Sequence, residues 1–210
     1  MKRREFIEKT ALSSALVGLG GISLSSFTTL EKKQLTVLHT NDVHSYIDAF
    51  PANHPKNPNL GGVARRAAII ENIRKENPNV LLLDAGDIFQ GTPYFNYYGG
   101  ELEFKLMSMM KYDIATIGNH DFDNGIDGLF GQLPNASFEF VNANYDFKNT
   151  ILNGVIKPYQ IIHKNGIKVG VFGLGIELEG LVDKNNYKET VYNNPLEIAQ
   201  DLSRILKEDK

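Results

Sequence analysis

Residues 118–123, Gly-Asn-His-Asp-Phe-Asp, place three kinds of reactive group on one short stretch. Asn119 offers a neutral amide oxygen, His120 can hold or release a proton near neutral pH, and the aspartates that follow can orient an imidazole. The stretch directly follows an apolar run, 112–117, that predicts a buried strand. Open α/β sheets place their chemistry at the carboxyl ends of strands, which favours a reactive loop here. The alternative is a turn that is simply rich in Asn and Asp.

Two earlier stretches have the same layout. Residues 35–39 form a short β-prone run that leads to Asp42 and His44. Residues i and i+2 of an extended segment point to the same side, so this carboxylate and imidazole can reach one ion together. The fully apolar run 80–83 predicts an interior strand that leads to Asp87. Three successive strand–loop units therefore end in metal-binding residue types. The chain has no cysteine, so a metal would be held by oxygen and imidazole.

The remaining helices and strands are predicted from the spacing of apolar residues and from the positions of Gly and Pro. Helices are predicted over residues 61–77, 101–111 and 125–133, and from Asn194-Pro195 to the end of the chain. A further strand is predicted over 138–141, and the segment 175–193 is predicted to be irregular. Asn165-Gly166 between two β-prone runs predicts a hairpin, which places His163 on a hairpin strand in a structural role.

Several polar and aromatic residues near the loops allow more than one interpretation. We expect Asp84 to support a metal ligand or to play a structural role, and the sequence leaves the role of Gln90 open. Arg65 and Arg66 are expected on a solvated helix face, with contact to a substrate phosphate as the alternative. The tyrosines and Phe at 94–98 are expected to pack in the core or cover a loop, with base stacking as the alternative.

The whole chain suits one globular domain plus an appendage. It has 210 residues, of which 42% are hydrophobic and 22% charged, and its net charge is −3. The absence of a basic stripe excludes binding to a nucleic-acid polymer. The N-terminal 30 residues form the appendage: Lys2, Arg3 and Arg4 precede Phe6 and a weakly apolar, uncharged run. This layout predicts a twin-arginine-type signal segment over 1–30 and export to the periplasm, with an ordinary membrane anchor as the alternative. Any membrane contact would then be through this segment alone.

The three loops resemble motifs of the calcineurin-like metallophosphoesterase superfamily, in particular its 5′-nucleotidase branch. Residues 35–47 resemble the first signature, 86–91 the middle block and 112–123 the second signature. The second signature has Asp121 where Glu is usual. The resemblance extends from about residue 35 to residue 175 and implies an α/β fold, a four-layer α/β/β/α metallophosphatase sandwich over 31–210. The resemblance further implies that this sandwich is incomplete on its C-terminal side.

The resemblance also implies a site with two divalent ions such as Mn, Zn or Co. Asp42 and His44 would ligate the first ion, Asp87 would bridge both, and Asn119 would ligate the second. The family's further histidine ligands have no counterpart downstream, where the one remaining histidine is His163.

The implied catalytic pair is His120 with Asp123, acting at the leaving group or on charge that develops on the phosphoryl oxygens. Asp121 is neither a ligand nor a member of this pair in the motif, so its replacement of Glu is expected to matter little. The expected function is an exported phosphoesterase that hydrolyses phosphate esters, with nucleotides as substrates, by attack of a metal-bridged hydroxide.

Three alternatives remain at this stage. The chain could be an inactive, truncated remnant, because ligands are missing. It could be a half-enzyme completed by a separate chain that supplies those ligands or a substrate domain. It could also be a thiol-sulfonate esterase of the sulfur-oxidation branch, which shares the metal motifs.

Overall fold

The computed structural model describes residues 32–208. The strands are β1 Thr36–Thr40, β2 Val80–Asp84, β3 Ile114–Ala115, β4 Glu139–Phe140, β5 Tyr145–Asp146, β6 Tyr159–Lys164, β7 Ile167–Phe172 and β8 Val191–Tyr192. The α-helices are α1 Val63–Glu76, α2 Pro93–Tyr98, α3 Glu101–Met109, α4 Gly125–Gln132, α5 Lys184–Tyr187 and α6 Pro195–Glu208. Short 3₁₀ turns cover His120–Phe122 and Leu133–Asn135. The signal segment predicted over 1–30 lies outside the described residues.

A parallel sheet positions the candidate loops. Its strand order is β1-β2-β3-β4. Thr40 pairs with Asp84, and Asp84 pairs with Ala115, so the carboxyl ends of the first three strands are level. Parallel neighbours need crossover connections, and these contain the helices α1, α2, α3 and α4. The three candidate loops therefore leave the same edge of the sheet side by side.

The core lies between the sheet and the helices α1, α3 and α4. Leu82 and Ala115 of the sheet join one buried apolar cluster with residues of all three helices. Phe104 of α3 is completely buried at its centre. Its ring lies 4.8–5.8 Å, centroid to centroid, from the rings of Phe89, Phe138 and Phe140. Phe89 follows Asp87 in the second candidate loop, so this core anchors the loop directly.

A hairpin and a last helix complete four layers. β6 and β7 pair antiparallel through Asn165 and Gly166, whose φ angles of 52° and 65° match the turn predicted for an Asn-Gly pair. The hairpin faces the parallel sheet across a cleft of about 250 Å³. On its other side, Gly170 leaves room for Leu206 of α6, whose Cδ1 would lie 2.9 Å from an added Cβ. Helices, sheet, hairpin and helix thus follow the predicted α/β/β/α order.

Two local predictions were only partly right. The strand predicted over 112–117 is only two residues long, although the amides of Asp113 and Thr116 continue the pairing with β2 on both sides. The segment 175–193 is not wholly irregular, because it contains α5 and β8. β8 pairs with β5, a contact between distant parts of the chain that no local pattern indicates.

Candidate active site

The first two loops are joined along their backbones. The amides of Asp42, His44 and Ser45 donate to the carbonyls of Gly86, Asp87 and Ile88 in that order, at 3.0–3.1 Å. These bonds extend the pairing of β1 with β2 beyond the strands. The side chains of the two loops are therefore held in one fixed register.

Three side chains of these loops converge. His44 Nε2 lies 3.8 Å from Asp42 Oδ1 and 3.9 Å from Asp87 Oδ2, and the candidate ligand atoms of all three lie within 4.8 Å of one another. Ligands about 2.1 Å from one cation lie roughly 3–4 Å apart, so this group fits a divalent ion with little movement. Two carboxylates and an imidazole suit Mn²⁺ or Zn²⁺.

The orienting contacts leave the converging atoms free for a ligand. His44 Nδ1 lies 3.3 Å from the carbonyl oxygen of Phe89, which favours the tautomer that keeps the Nε2 lone pair available. Asn41 donates its side-chain amide to Asp42 Oδ2, which leaves Oδ1 facing the histidine. Asp87 Oδ1 accepts the backbone amide of His120 at 2.9 Å, which leaves Oδ2 facing His44.

The backbone of both loops is strained at the site. Asp42, His44, Ser45 and Asp87 all have left-handed φ angles, between 44° and 56°. This region is unfavourable for non-glycine residues, and such residues concentrate at functional sites where the surroundings hold them in place. The sequence analysis missed this conformation, since it assumed that Asp42 and His44 lie on extended backbone.

The third loop brings an imidazole–carboxylate pair to the same place. His120 Nδ1 lies 2.9 Å from Asp123 Oδ2, and the rings of His120 and His44 meet edge to face with centroids 5.1 Å apart. The hydrogen bond to Asp123 raises the pKa of His120 above its usual 6.5, although partial burial opposes this. Asn119 precedes the 3₁₀ turn and is half-buried. The His120 amide bond to Asp87 holds this loop against the second one.

Glycines allow the second and third loops to approach so closely. A Cβ on Gly118 would lie 2.1 Å from Asp87 Oδ1, and one on Gly86, whose φ is 94°, would lie 2.5 Å from the Gly118 nitrogen. Both distances are far below contact, so neither position can hold a side chain without moving Asp87 or its loop.

Asp121 is buried beneath the site. It is 1% exposed, and its carboxylate accepts four backbone amides, those of Asp87, Ile88, Phe89 and Gly118. Burial raises the pKa of Asp121 to about 7, while the amide donors lower it. Asp121 thus has a larger structural role than its place in the motif predicts.

Asp84 is structural, in line with the expectation. It is 5% exposed and accepts the Thr40 hydroxyl at 2.5 Å and the Gly86 amide at 2.9 Å. The Tyr112 hydroxyl lies 2.8 Å from the same Thr40 oxygen. Burial raises the pKa of Asp84 to about 6, and the two hydrogen bonds lower it. The chain of contacts ties the ends of β1 and β2 to Tyr112, two residues before β3.

The other residues singled out from the sequence lie apart from this cluster of side chains. Arg65 is exposed, as expected, whereas Arg66 turns inward and lines a cavity of about 10 Å³ together with Glu103. Gln90 is exposed. Within 94–98, which forms most of α2, Phe95 is buried against Phe89, while the remaining side chains lie toward the surface. His163 is exposed on β6, away from the loops, as predicted.

Comparison with known proteins identifies the family. The family of calcineurin-like phosphoesterases matches residues 35–209. The chain belongs to this family. The family consists of phosphoesterase hydrolases that use divalent metals, and the resemblance seen in the three motifs is therefore confirmed.

Its relatives include 5′-nucleotidases. The snake venom 5′-nucleotidase of Naja atra is 45% identical over 147 residues, which are 67% of this chain and 28% of the relative. The solved 5′-nucleotidase precursor of Thermus thermophilus has a TM-score of 0.76 at 34% identity, over 83% of this chain and 35% of that one. The phosphoesterase chain therefore spans about a third of the length of these relatives.

A third comparison bears on the fold alone. The sulfate thiohydrolase SoxB of Thermus thermophilus has a TM-score of 0.71 at 12% identity, over 85% of this chain and 42% of that one. At this identity the likeness establishes the α/β metallophosphatase fold and carries no information on substrate. In residues 32–208, no helix has the length and apolarity required to span a membrane.

Proposed function

We propose that this phosphoesterase is a metal-dependent, 5′-nucleotidase-like enzyme that hydrolyses phosphate monoesters of nucleotides. The observation that carries the proposal is the convergence of Asp42, His44 and Asp87 beside the His120–Asp123 pair. Named 5′-nucleotidases among both the curated relatives and the solved structures support the substrate class.

The proposed ligands divide between two ions. Asp42, His44 and Asp87 would hold the first, and Asp87 with Asn119 would hold the second. Divalent ions bound there would offset the charge of the phosphate and lower the pKa of coordinated water. The surrounding carboxylates explain why a cation is needed: without one, the negative charges of Asp42 and Asp87 would repel a phosphate group.

His120 is proposed to act on the leaving group. Its Nδ1 is held by Asp123, so its Nε2 is the nitrogen that can give a proton to the departing oxygen or donate to a phosphoryl oxygen. In the metal-free chain, the raised pKa keeps a larger share of His120 protonated near neutral pH than a free histidine would have. Asp123 fixes the ring orientation and stabilises the protonated form.

Phosphate release from AMP by the 210-residue chain, with and without Mn²⁺, tests this proposal. We expect hydrolysis that requires the metal, and a fall in kcat of about 10²–10⁴-fold in His120→Ala. His163→Ala is the matched control, because His163 is exposed on β6 and should leave kcat unchanged. A metal-independent rate, or equal rates in both variants, would overturn the proposal.

A second substrate and a second chain distinguish the three alternative functions. Turnover of a thiosulfonate ester but not of AMP would indicate the sulfur-oxidation chemistry. No turnover of either substrate by the chain alone would point to an inactive remnant. Turnover that appears only after mixing with a second chain would indicate a half-enzyme. Nothing in the described residues favours any of these over nucleotide hydrolysis.

We propose that residues 1–30 act as a twin-arginine signal, with residues 31–210 as the phosphoesterase domain. The Arg3-Arg4 pair, followed by Phe6 and Ile7, supports this. Replacing both arginines by lysine should retain the protein in the cytoplasm, whereas Lys32→Arg should not affect export. Unchanged periplasmic amounts in the double variant would exclude the pathway.

A further inference from the structure

Asp121 joins two of the three site loops through a single carboxylate. Its Oδ1 accepts the amides of Ile88 and Phe89 at 2.9 and 3.1 Å, and its Oδ2 accepts those of Asp87 and Gly118 at 3.1 and 2.8 Å. A carboxylate has about four lone-pair positions, so its capacity is filled. Asp121 therefore has nothing left to offer a metal ion or a substrate.

The three consecutive amides of 87–89 form a concave set of donors, an arrangement that binds anions. They point inward because Asp87 adopts the left-handed conformation, with a φ of 56°. Each buried amide left without an acceptor costs about 1–3 kcal/mol. The strained course of this loop is thus maintained only while an acceptor with several lone pairs sits in the concavity, and Asp121 is that acceptor.

The loop held by Asp121 orients two proposed metal ligands, its own Asp87 and His44 of the first loop. It carries the Asp87 side chain, whose Oδ2 faces His44 Nε2 at 3.9 Å. Its Phe89 carbonyl lies 3.3 Å from His44 Nδ1, and its Asp87 carbonyl accepts the His44 amide at 3.1 Å. A change in the course of this loop would therefore move two proposed ligands together.

We propose that Asp121 is a positioning residue that sets the divalent-metal affinity of the site without touching the metal. This rests on the proposed metal site of Asp42, His44 and Asp87. Asp121 acts by fixing the amides of 87–89, and through them the Asp87 carboxylate and the His44 ring. Residues whose only role is to hold metal ligands in place typically alter metal affinity about 10–100-fold when removed.

Two substitutions separate positioning from simple burial. Asp121→Asn keeps the shape but turns one oxygen into an NH₂ group that faces two amide donors. Asp121→Glu keeps the carboxylate and its four acceptor positions. The matched control is Asp113→Asn: Asp113 also accepts a strand amide, that of Leu82 at 2.8 Å, but it lies at the amino end of β3 and pairs with Lys164 instead of with a site loop.

The experiment measures Mn²⁺ affinity by calorimetry and amide hydrogen exchange by NMR on the full chain, in conditions where each variant is folded. Asp121→Asn should weaken Mn²⁺ binding about 10–100-fold and accelerate exchange at 87–89 and 118. Asp121→Glu should bind within about threefold of the parent, and Asp113→Asn within about twofold, because neither change removes an acceptor from the amides of 87–89. Parental affinity in folded Asp121→Asn would reduce the role of Asp121 to stability and overturn the proposal.

Two further outcomes are distinct. If Asp121→Asn does not fold, amide hydrogen exchange in the unmodified, metal-free chain decides. Fast exchange of the Ile88 and Phe89 amides would contradict their proposed fixation by the Asp121 carboxylate, and strong protection would support it. If the unmodified chain itself binds no Mn²⁺, the proposed function fails, together with any role of Asp121 in metal affinity. Protected Ile88 and Phe89 amides in such a chain would still show that the Asp121 carboxylate holds them.

Discussion

Replacing Gly118 by alanine should damage the metal site through one methyl group. The added Cβ would lie 2.1 Å from Asp87 Oδ1, 2.4 Å from the Asp87 nitrogen and 2.8 Å from its Cγ. Ordinary contacts of a Cβ begin above about 3.0 Å, so Asp87 and Gly118 must separate by roughly 1 Å. The clash includes backbone and cannot be relieved by turning a flexible side chain.

The size of the effect follows from this displacement. Forcing an extra methyl group into a packed position costs about 1–3 kcal/mol of the free energy of unfolding. A shift of about 1 Å in a reacting or ligating group costs about 10²-fold in rate. We therefore expect Mn²⁺ affinity to fall at least about tenfold and phosphate release from AMP to fall about 100-fold.

Gly131→Ala is the matched control. Gly131 lies in α4, and a Cβ there would have no neighbour within 4 Å. Alanine at this position should raise the free energy of unfolding by about 0.5–1 kcal/mol, because glycine is the poorer helix former. Metal affinity should be unchanged.

Calorimetric titration with Mn²⁺, urea unfolding and a phosphate-release assay on both variants measure these effects. Gly118→Ala that binds Mn²⁺ as tightly as the parent, with an unchanged unfolding midpoint, would refute the close approach of the two loops. Equal losses in Gly131→Ala would show that the assay reports general damage.

Further predictions concern protonation and the core. Asp123→Asn should lower the pKa of His120, which NMR titration of the metal-free chain measures. Because the pKa of His120 is raised in the folded chain, the His120–Asp123 pair stabilises the fold below about pH 6.5. This stabilisation is lost as the pH rises through the raised pKa. Burial raises the pKa of Asp84 from 3.8 to about 6, so its contribution to the free energy of unfolding is greatest below about pH 4 and declines by about 3 kcal/mol as the pH rises past 6. Urea unfolding across that range should show a flatter profile in Asp84→Asn, and an unchanged slope would contradict the assignment. Phe104→Ala should cost about 3–5 kcal/mol in urea unfolding, since the ring is fully buried, and a loss below about 1 kcal/mol would exclude its central place in the core.

Local sequence signals were sufficient for the elements that carry the site. The apolar run 80–83 of β2 and the Asn165-Gly166 turn were predicted from their own residues, and both occur as expected. The strand-end positions of Asp42 and Asp87 followed from the rule that parallel strands end at one edge of a sheet. The three-loop site could therefore be outlined before any coordinates.

The features that were missed depend on contacts between distant residues. The role of Asp121 requires amides 32–34 positions earlier in the chain, and no spacing rule connects these. The left-handed φ angles of Asp42 and His44 accompany backbone bonds to the second loop, and this region is uncommon enough for non-glycine residues that residue type alone does not predict it. The inward position of Arg66 likewise involves a distant part of the chain, since the cavity beside it is also lined by Glu103 of a different helix.

Anomalous diffraction at the manganese edge, from crystals of the full chain grown with Mn²⁺, tests the central claim most directly. The account predicts a peak roughly 2–2.5 Å from the Asp42 carboxylate, His44 Nε2 and the Asp87 carboxylate. A map with manganese bound elsewhere, or with no peak among these three side chains, would contradict it.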